Sequence, residues 1–345
     1  MHMKVADIVK EATVINSDAT FKEALTAMIK RHTNTLLVVD EGGMLSGEVS
    51  VVDLLDAVVP EYLDGDSVAE NFATEEMFEK AVKERGLSAT ALNNYLESPW
   101  NYIYRNLLRI PEVQTLSLQF GNVVHTTLER VINKLKTGGK TSLPNLLKRE
   151  LEWAIQKLPL SREEFVRLHE KGLTSLLVYL ENVMDKVTRN TKTEINFRVH
   201  LPLKLKEFPE IMLTGKIDRL DFDETGRVIR VVDYKTGKPK SRNQIEGKTK
   251  AANGNYKRQL VFYALLLELY GNENYRTREG TLSFVEPDSK GVIHEESFTI
   301  TDVEITELKS EIERVVKELV TGQYAKVPCD ENVCDYCDLV ESLKK

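Results

Sequence analysis

Gly215-Lys-Ile-Asp218-Arg-Leu-Asp221 and, one turn later, Val231-Val-Asp233-Tyr-Lys235-Thr-Gly237 set two carboxylates and a lysine on neighbouring extended segments. Leu213 to Phe222 alternates as a strand does, and Val228 to Tyr234 is a short apolar run rich in β-branched residues. Between them Asp223-Glu-Thr-Gly226 has turn chemistry, so the two runs read as a hairpin. Pairing brings Asp218 and Asp233 together at one end. Two like charges there repel unless a cation separates them, and hard divalent cations prefer carboxylate oxygens. Lys235 stands two residues past Asp233 and faces the same side of its strand. A lysine beside a hydrolytic water can orient it or stabilise the charge of a phosphoryl transition state. Taken alone, Asp-x-Lys at a strand end is more often structural than catalytic.

Further segments fall in order around this hairpin. Leu87-Ser-Ala-Thr-Ala-Leu-Asn-Asn-Tyr-Leu-Glu-Ser98-Pro-Trp-Asn-Tyr102 reads as a leading helix, and Gly121-Asn-Val-Val-His125-Thr-Thr-Leu-Glu129 as a second. His125 and Glu129 are four apart and share a helix face; a neutral imidazole there is a good metal ligand. Tyr256-Lys-Arg-Gln259-Leu-Val-Phe-Tyr263 puts Gln259 and Tyr263 on one face of another helix. With the hairpin, these segments resemble the PD-(D/E)XK nucleases in their RecB-like form, from about Leu87 to Cys337. The resemblance implies an α/β, restriction-endonuclease-like core with a helical insertion. It also implies a metal-dependent DNA nuclease, an exonuclease of DNA repair or recombination, kin to the nuclease module of helicase–nucleases. In that family Asp218, Asp233, His125 and the backbone carbonyl of Tyr234 would hold Mg²⁺ or Mn²⁺. Lys235 would be catalytic, with Gln259 and Tyr263 near it or near DNA; DNA and a helicase subunit would be the partners.

The chain has 345 residues, 41% hydrophobic and 29% charged, which suits a soluble protein of about two domains. No apolar run approaches the roughly 20 residues that span a bilayer, and no signal-peptide pattern opens the chain, so the cytoplasm is expected. A net charge of -7 looks wrong for a nucleic-acid enzyme. Residues 1–85, however, hold 17 acidic and 8 basic side chains, and the rest of the chain 37 and 39. Lys235 to Arg258 concentrates Lys238, Lys240, Arg242, Lys248, Lys250, Lys257 and Arg258 against Glu246 alone. Because this run follows the catalytic-type lysine, Lys238, Lys248, Lys250, Lys257 and Arg258 are candidates for DNA phosphates. Gly, Asn and Ser in Ser241 to Gly254 suggest a mobile loop. Gly247-Lys248-Thr249 mimics the end of a phosphate-binding P-loop, but Arg242 stands where its first glycine is required.

Lys4 to Val59 reads strand-helix-strand-strand-helix, with Thr20 to Arg31 as the first helix and a turn at Glu41-Gly-Gly43. Leu36-Leu-Val-Val-Asp40-Glu-Gly-Gly43 and Gly47-Glu-Val-Ser50-Val-Val-Asp53-Leu-Leu55 resemble one CBS repeat, a small α/β unit. In ligand-binding members a Ser/Thr and an Asp at the places of Ser50 and Asp53 contact an adenosine ribose and phosphate; Ser followed by Asp three on is also an ordinary helix cap. CBS repeats work in pairs, so a single one implies a homodimer or a grafted fragment. The expected domains are thus 1–66 (CBS-like), 67–86 (helical linker) and 87–345 (nuclease). A second reading keeps the nuclease-like part as a non-catalytic DNA-binding module beside a nucleotide-sensing CBS unit.

Cys329-Asp-Glu-Asn-Val-Cys334-Asp-Tyr-Cys337 is a ligand-like cluster and holds every cysteine of the chain. Many RecB-like nucleases bind a [4Fe-4S] cluster with such a trio and one distant cysteine, whose place Ser98 takes here. A three-cysteine cluster, zinc with another fourth ligand, and no metal all stay open. Asn145 to Asp185 reads as long amphipathic helices whose core includes Leu146, Leu151, Trp153, Leu168, Leu176 and Leu180, and Tyr95, Tyr102 and Tyr104 read as core.

Overall fold

The computed structural model describes residues 13–50 apart from eight positions between 21 and 34, then Asp53, and residues 82–327 apart from 110–114, 138–141, 184–185 and 251. The chain divides into two compact units, one of Met1–Phe78, Asn94–Gln114 and Glu318–Lys345, the other of Glu79–Asn93 and Thr115–Lys317.

In the first unit, β1 (Val14–Asn16) pairs in parallel with β2 (Thr35–Val39), which pairs antiparallel with β3 (Leu45–Ser50). The β2–β3 turn is set by Asp40, whose Oδ1 accepts from the amides of Gly42 and Met44. Helical residues Ala24 and Met28 pack on Leu36 to form a small core. The same unit contains α2 (Pro99–Tyr102) and a following π-helical turn, Ile103–Leu108. Ser98 is buried and caps α2, its Oγ accepting from Trp100 N, with Pro99 at the first helical position. Tyr95, Tyr102 and Tyr104 are buried, as expected, and Trp100 meets Tyr324 edge to face.

The second unit is built on a six-stranded mixed sheet. Its strands are β4 (Leu87–Ser88), β5 (Lys192–Pro202), β6 (Glu210–Phe222), β7 (Val228–Lys235), β8 (Glu279–Phe284) and β9 (His294–Thr299). The leading helix α1 (Ala89–Glu97) starts two residues later than its sequence suggests, because Leu87 and Ser88 pair in parallel with Leu213 and Thr214. β5 runs antiparallel along one edge of β6 from Lys192 to Pro202. β6's other edge is shared by β4, at Leu213–Thr214, and β7, at Arg219–Phe222. Beyond Arg219 and Val232 the β6–β7 pairing ends, and β7 continues beside β8, so the sheet forks where Asp218 and Asp233 stand.

The hairpin follows the sequence expectation. Asp223 Oδ1 accepts from the amides of Thr225 and Arg227, and Gly226 takes φ +83°. Parallel β7 and β8 need a crossover, which runs through α6 (Arg242–Ile245) and α7 (Asn255–Leu269). The Ser241–Gly254 segment is thus not all loop: Ser241 and Gln244 form a capping box that starts α6. α7 buries Leu260 through Leu267 without a break, as a helix enclosed on all sides does. Gly215 lets α7 come close, since a Cβ there would lie 2.4 Å from Leu266 Cδ1.

α3 (Leu116–Lys136), α4 (Leu143–Ile155) and α5 (Arg162–Val183) form the helical part. α3 is capped by Thr115, and Phe120, Val123, Val124, Leu128 and Val131 make one buried face against Leu147, Leu151, Leu176 and Leu180. Trp153 departs from the expected core: it is 39% exposed, with the Arg130 guanidinium 3.7 Å above its ring. α8 (Asp302–Val320) follows β9, and a short 3-10 helix, Gln323–Lys326, comes after it. Cys329, Cys334, Cys337 and most of the 67–86 linker lie outside the described residues. Among those described, no helix is long and apolar enough to cross a membrane.

Candidate active site

Five elements of the second unit meet at the fork. Asp218 comes from β6, Asp233 and Lys235 from β7, His125 from the middle of α3, Gln259 and Tyr263 from α7, and Glu194 from β5. His125 Nδ1 lies 3.2 Å from Asp218 Oδ1 and 3.5 Å from Glu194 Oε1. Asp218 Oδ2 accepts from the Tyr234 amide at 2.7 Å, which ties the two strand ends together. Lys235 Nζ sits 2.7 Å from Asp233 Oδ2 and donates to Gln259 Oε1 at 2.7 Å. Gln259 Nε2 in turn donates to Tyr263 Oη, and Tyr263 donates to Asp233 Oδ1 at 3.3 Å. Lys235, Gln259, Tyr263 and Asp233 therefore form a closed polar ring, which accounts for the one-turn spacing of Gln259 and Tyr263.

Charge is concentrated here at little exposure. Asp218 and Asp233 are 6% and 2% exposed. Burial and the neighbouring Asp233 charge push the Asp218 carboxyl above its usual range, against His125 and the Tyr234 amide. Burial works against a charged His125, yet Asp218 and Glu194 push its pKa up to about 10. Lys235 is raised too, the charge of Asp233 outweighing burial. The cluster holds like-charged carboxylates that only cations reconcile.

Glu194 is the residue the sequence did not reveal. It stands third in β5, with no motif around it. In the structure it is left out of the β5–β6 pairing, which runs on in the same register at Thr193 and Ile195, and takes φ +53°, a left-handed conformation rare outside glycine. That twist turns a strand-end carboxylate, 7% exposed, inward. One oxygen pairs with Lys216 and the other faces His125, with no hydrogen bond of its own. His125, Glu194 and Asp218 each offer a ligand atom, all within 4.8 Å of one another. An imidazole nitrogen and two carboxylate oxygens at that separation suit a divalent cation. Asp233 stands beside this trio with its oxygens turned to Lys235 and Tyr263. Tyr234 directs its amide to Asp218 and its ring to His125 and Tyr179, 5.8 and 6.0 Å between centroids. Glu129, one helical turn on from His125, is not part of the trio.

The basic run divides in two. Lys257 pairs with Glu304, Arg258 with Glu311, and Lys248 with Glu246. Lys238, Lys240 and Lys250 are exposed and have no carboxylate partner among the described residues. Lys240 Nζ stands 4.2 Å over the Tyr256 ring, which also has Lys235 Nζ at 4.6 Å. In the first unit, Ser50 and Asp53 are engaged with each other: Asp53 Oδ2 accepts from the Ser50 amide and hydroxyl, and Ser50 Oγ accepts from the Asp53 amide.

A mixed sheet forked over buried carboxylates, with a lysine two residues past one of them, defines the restriction-endonuclease-like class. Comparison with known proteins agrees: residues 86–342 match the PD-(D/E)XK nuclease superfamily and residues 5–60 the CBS domain. The chain belongs to the PD-(D/E)XK nuclease superfamily and carries a CBS domain ahead of its nuclease domain. It is 27% identical over 175 residues to a subunit of the ATP-dependent helicase/deoxyribonuclease from two Streptococcus suis strains, 05ZYH33 and 98HAH33. That match covers 45% of this chain and 15% of the length of each relative. Among solved structures, a candidate exonuclease from Eubacterium rectale is 14% identical with a TM-score of 0.44, covering 78% of this chain and 91% of that one. LHK-Exo in complex with dAMP is 13% identical with a TM-score of 0.25, covering 59% and 94%.

Proposed function

We propose that the protein is a metal-dependent deoxyribonuclease, working as an exonuclease in DNA repair or recombination. The observation that carries this reading is the meeting of His125, Glu194 and Asp218 within one ion's reach, beside the Asp233–Lys235 pair. The donor set fits Mg²⁺ or Mn²⁺, which would supply Lewis acidity toward a phosphodiester and its attacking water. Asp218, Asp233 and His125 would hold the ion, with Glu194 as a further ligand. Lys235, fixed by Asp233 and Gln259, is placed to orient the water or to meet the charge that develops on the phosphate. Tyr263 and Gln259 hold that lysine and Asp233 in register.

The test is incubation of end-labelled single- and double-stranded oligonucleotides with Mg²⁺, Mn²⁺ or EDTA. Progressive loss of terminal nucleotides with metal and none with EDTA is expected; metal-independent cleavage, or none under any condition, rejects the reading. The similarity to part of a helicase/deoxyribonuclease further supports a helicase partner, to be sought by co-purification. A single CBS domain supports pairing of two chains through that unit, which sedimentation of the full chain with and without residues 1–66 would test.

A further inference from the structure

At the far end of β5 and β6 from Pro202, Lys136, Arg189, Asn190, Lys192 and Tyr275 line a recess of about 470 Å³ floored by Phe222. Lys192 Nζ donates to Tyr275 Oη at 2.7 Å and stands over the Phe222 and Tyr275 rings, 5.2 and 5.3 Å from their centroids. Lys136 donates to the Thr191 carbonyl. None of Lys136, Arg189 and Lys192 has a carboxylate partner among the described residues, and Glu224 is the one acid of the lining. Burial and the charge of Lys192 depress the Lys136 ammonium, so the two lysines feel each other's repulsion. Three cations around an aromatic floor, against the single carboxylate of Glu224, leave the recess with a net positive charge that an anion stabilises.

Position makes the anion specific. Lys136 follows His125 by eleven residues on α3, which returns it to within about 20° of the same helix face, about 16 Å further along. On the sheet, Phe222 lies four residues beyond Asp218 on β6, about 13 Å away. The recess therefore continues the face that carries the acidic cluster, at a distance of about four or five base pairs along a duplex axis at 3.4 Å each.

Resting on the nuclease reading above, we infer that this recess binds a backbone phosphate of the substrate strand several nucleotides from the bond being cut. Lys136, Lys192 and Arg189 supply the charge, and Tyr275 and Asn190 offer contacts to the adjoining sugar or base. The recess sets how far the strand must extend past the cleavage site before it is held in line.

The experiment measures fluorescence anisotropy of labelled 30-nucleotide and 4-nucleotide DNA with the full chain in EDTA, across 50–200 mM salt. It compares wild type with Lys136→Gln/Lys192→Gln and with Arg189→Glu, whose side chain supports no packing. The double variant is expected to bind the long strand at least 10-fold more weakly at low salt. Its salt slope should be smaller by about 0.7 to 0.9, the counterion contribution of one phosphate contact. Arg189→Glu should also flatten the slope, and 4-nucleotide DNA should bind all three proteins alike. An unchanged slope in both variants, or equal losses on the short strand, overturns the assignment. So does stabilisation of wild type alone by 10 mM inorganic phosphate when the slope is unchanged, which would mark a free-phosphate pocket. Parallel Mg²⁺ cleavage assays keep the two readings apart. A wild type that does not cleave sinks the active-site reading while the slope still reports on the recess; an active enzyme with unchanged slope sinks the recess alone.

Discussion

Lys235 Nζ donates to Gln259 Oε1 at 2.7 Å, joining the end of β7 to the first turns of α7. Its second partner is Asp233, two residues back on the same strand. The ammonium therefore cannot follow its own flexible stem, and it is only 16% exposed. Lys235→Ala should lower kcat at least 100-fold, the scale of losing one charge-stabilising donor, and Asp233→Ala should abolish metal-dependent cleavage. Gln259→Ala should cost about 10-fold in kcat with KM little changed, since it frees the lysine without removing it. Initial rates on an end-labelled oligonucleotide check all three, with circular dichroism to confirm folding; near wild-type rates for Lys235→Ala or Asp233→Ala would refute the catalytic assignment.

Glu194 couples strain to chemistry. Its left-handed backbone costs a non-glycine residue about 1 kcal/mol. Thermal melts should therefore find Glu194→Gly more stable than Glu194→Ala, the reverse of an ordinary strand position, where glycine is the worse of the two. Both should lose cleavage, and Glu194→Gln should weaken Mn²⁺ binding, read by calorimetry, about 10-fold. Full activity in Glu194→Gln would remove it from the ligand set.

Lys240 and Tyr256 offer a contrast with the paired half of the basic run. Lys240→Ala should raise the KM for DNA about 3- to 10-fold at low salt with kcat unchanged, because it removes a surface cation without a carboxylate partner, beside the Tyr256 ring that Lys235 also meets. Lys257→Ala and Arg258→Ala should instead lower the melting temperature, because each breaks an ion pair to α8. Salt titration of KM distinguishes these outcomes; equal effects on KM from all three would erase the division.

Glu150 is 1% exposed and receives Arg130, Lys134 and Arg149. Burial alone would raise its pKa, but the three cations hold it down to about 2. A carboxyl whose folded pKa lies below its unfolded value adds stability above the unfolded pKa, near 4.5, and loses that stability as pH falls toward 2. Glu150→Gln should destabilise the protein by on the order of 3 kcal/mol at pH 7, with the gap to wild type closing between about pH 5 and 2. Urea melts across that range test it, and a pH-independent difference would show that the charge is not what matters.

Much of the nuclease domain was legible because its signals are local. The alternation of Leu213 to Phe222, the turn chemistry of Asp223 to Gly226 and the four-residue step from Gln259 to Tyr263 each act within one element. Trp153 misled because an amphipathic period cannot say whether a guanidinium will cover the helix edge, as Arg130 does. The Ser241–Gly254 segment misled in the other direction: glycines and polar residues hid the capping box that makes α6.

Sequence by itself determined which residues could be catalytic: the carboxylates of Asp218 and Asp233, Lys235 on the same strand face, and an imidazole at His125. It did so because strand and helix periods fix which side chains share a face. Tertiary structure alone decided that Glu194 turns inward to them. It also decided that Lys257 and Arg258 are held by α8 while Lys240 is not, and that Lys136 and Lys192 line one recess. Those relations depend on a backbone twist in β5 and on how distant elements pack, and neither leaves a periodic trace in the chain.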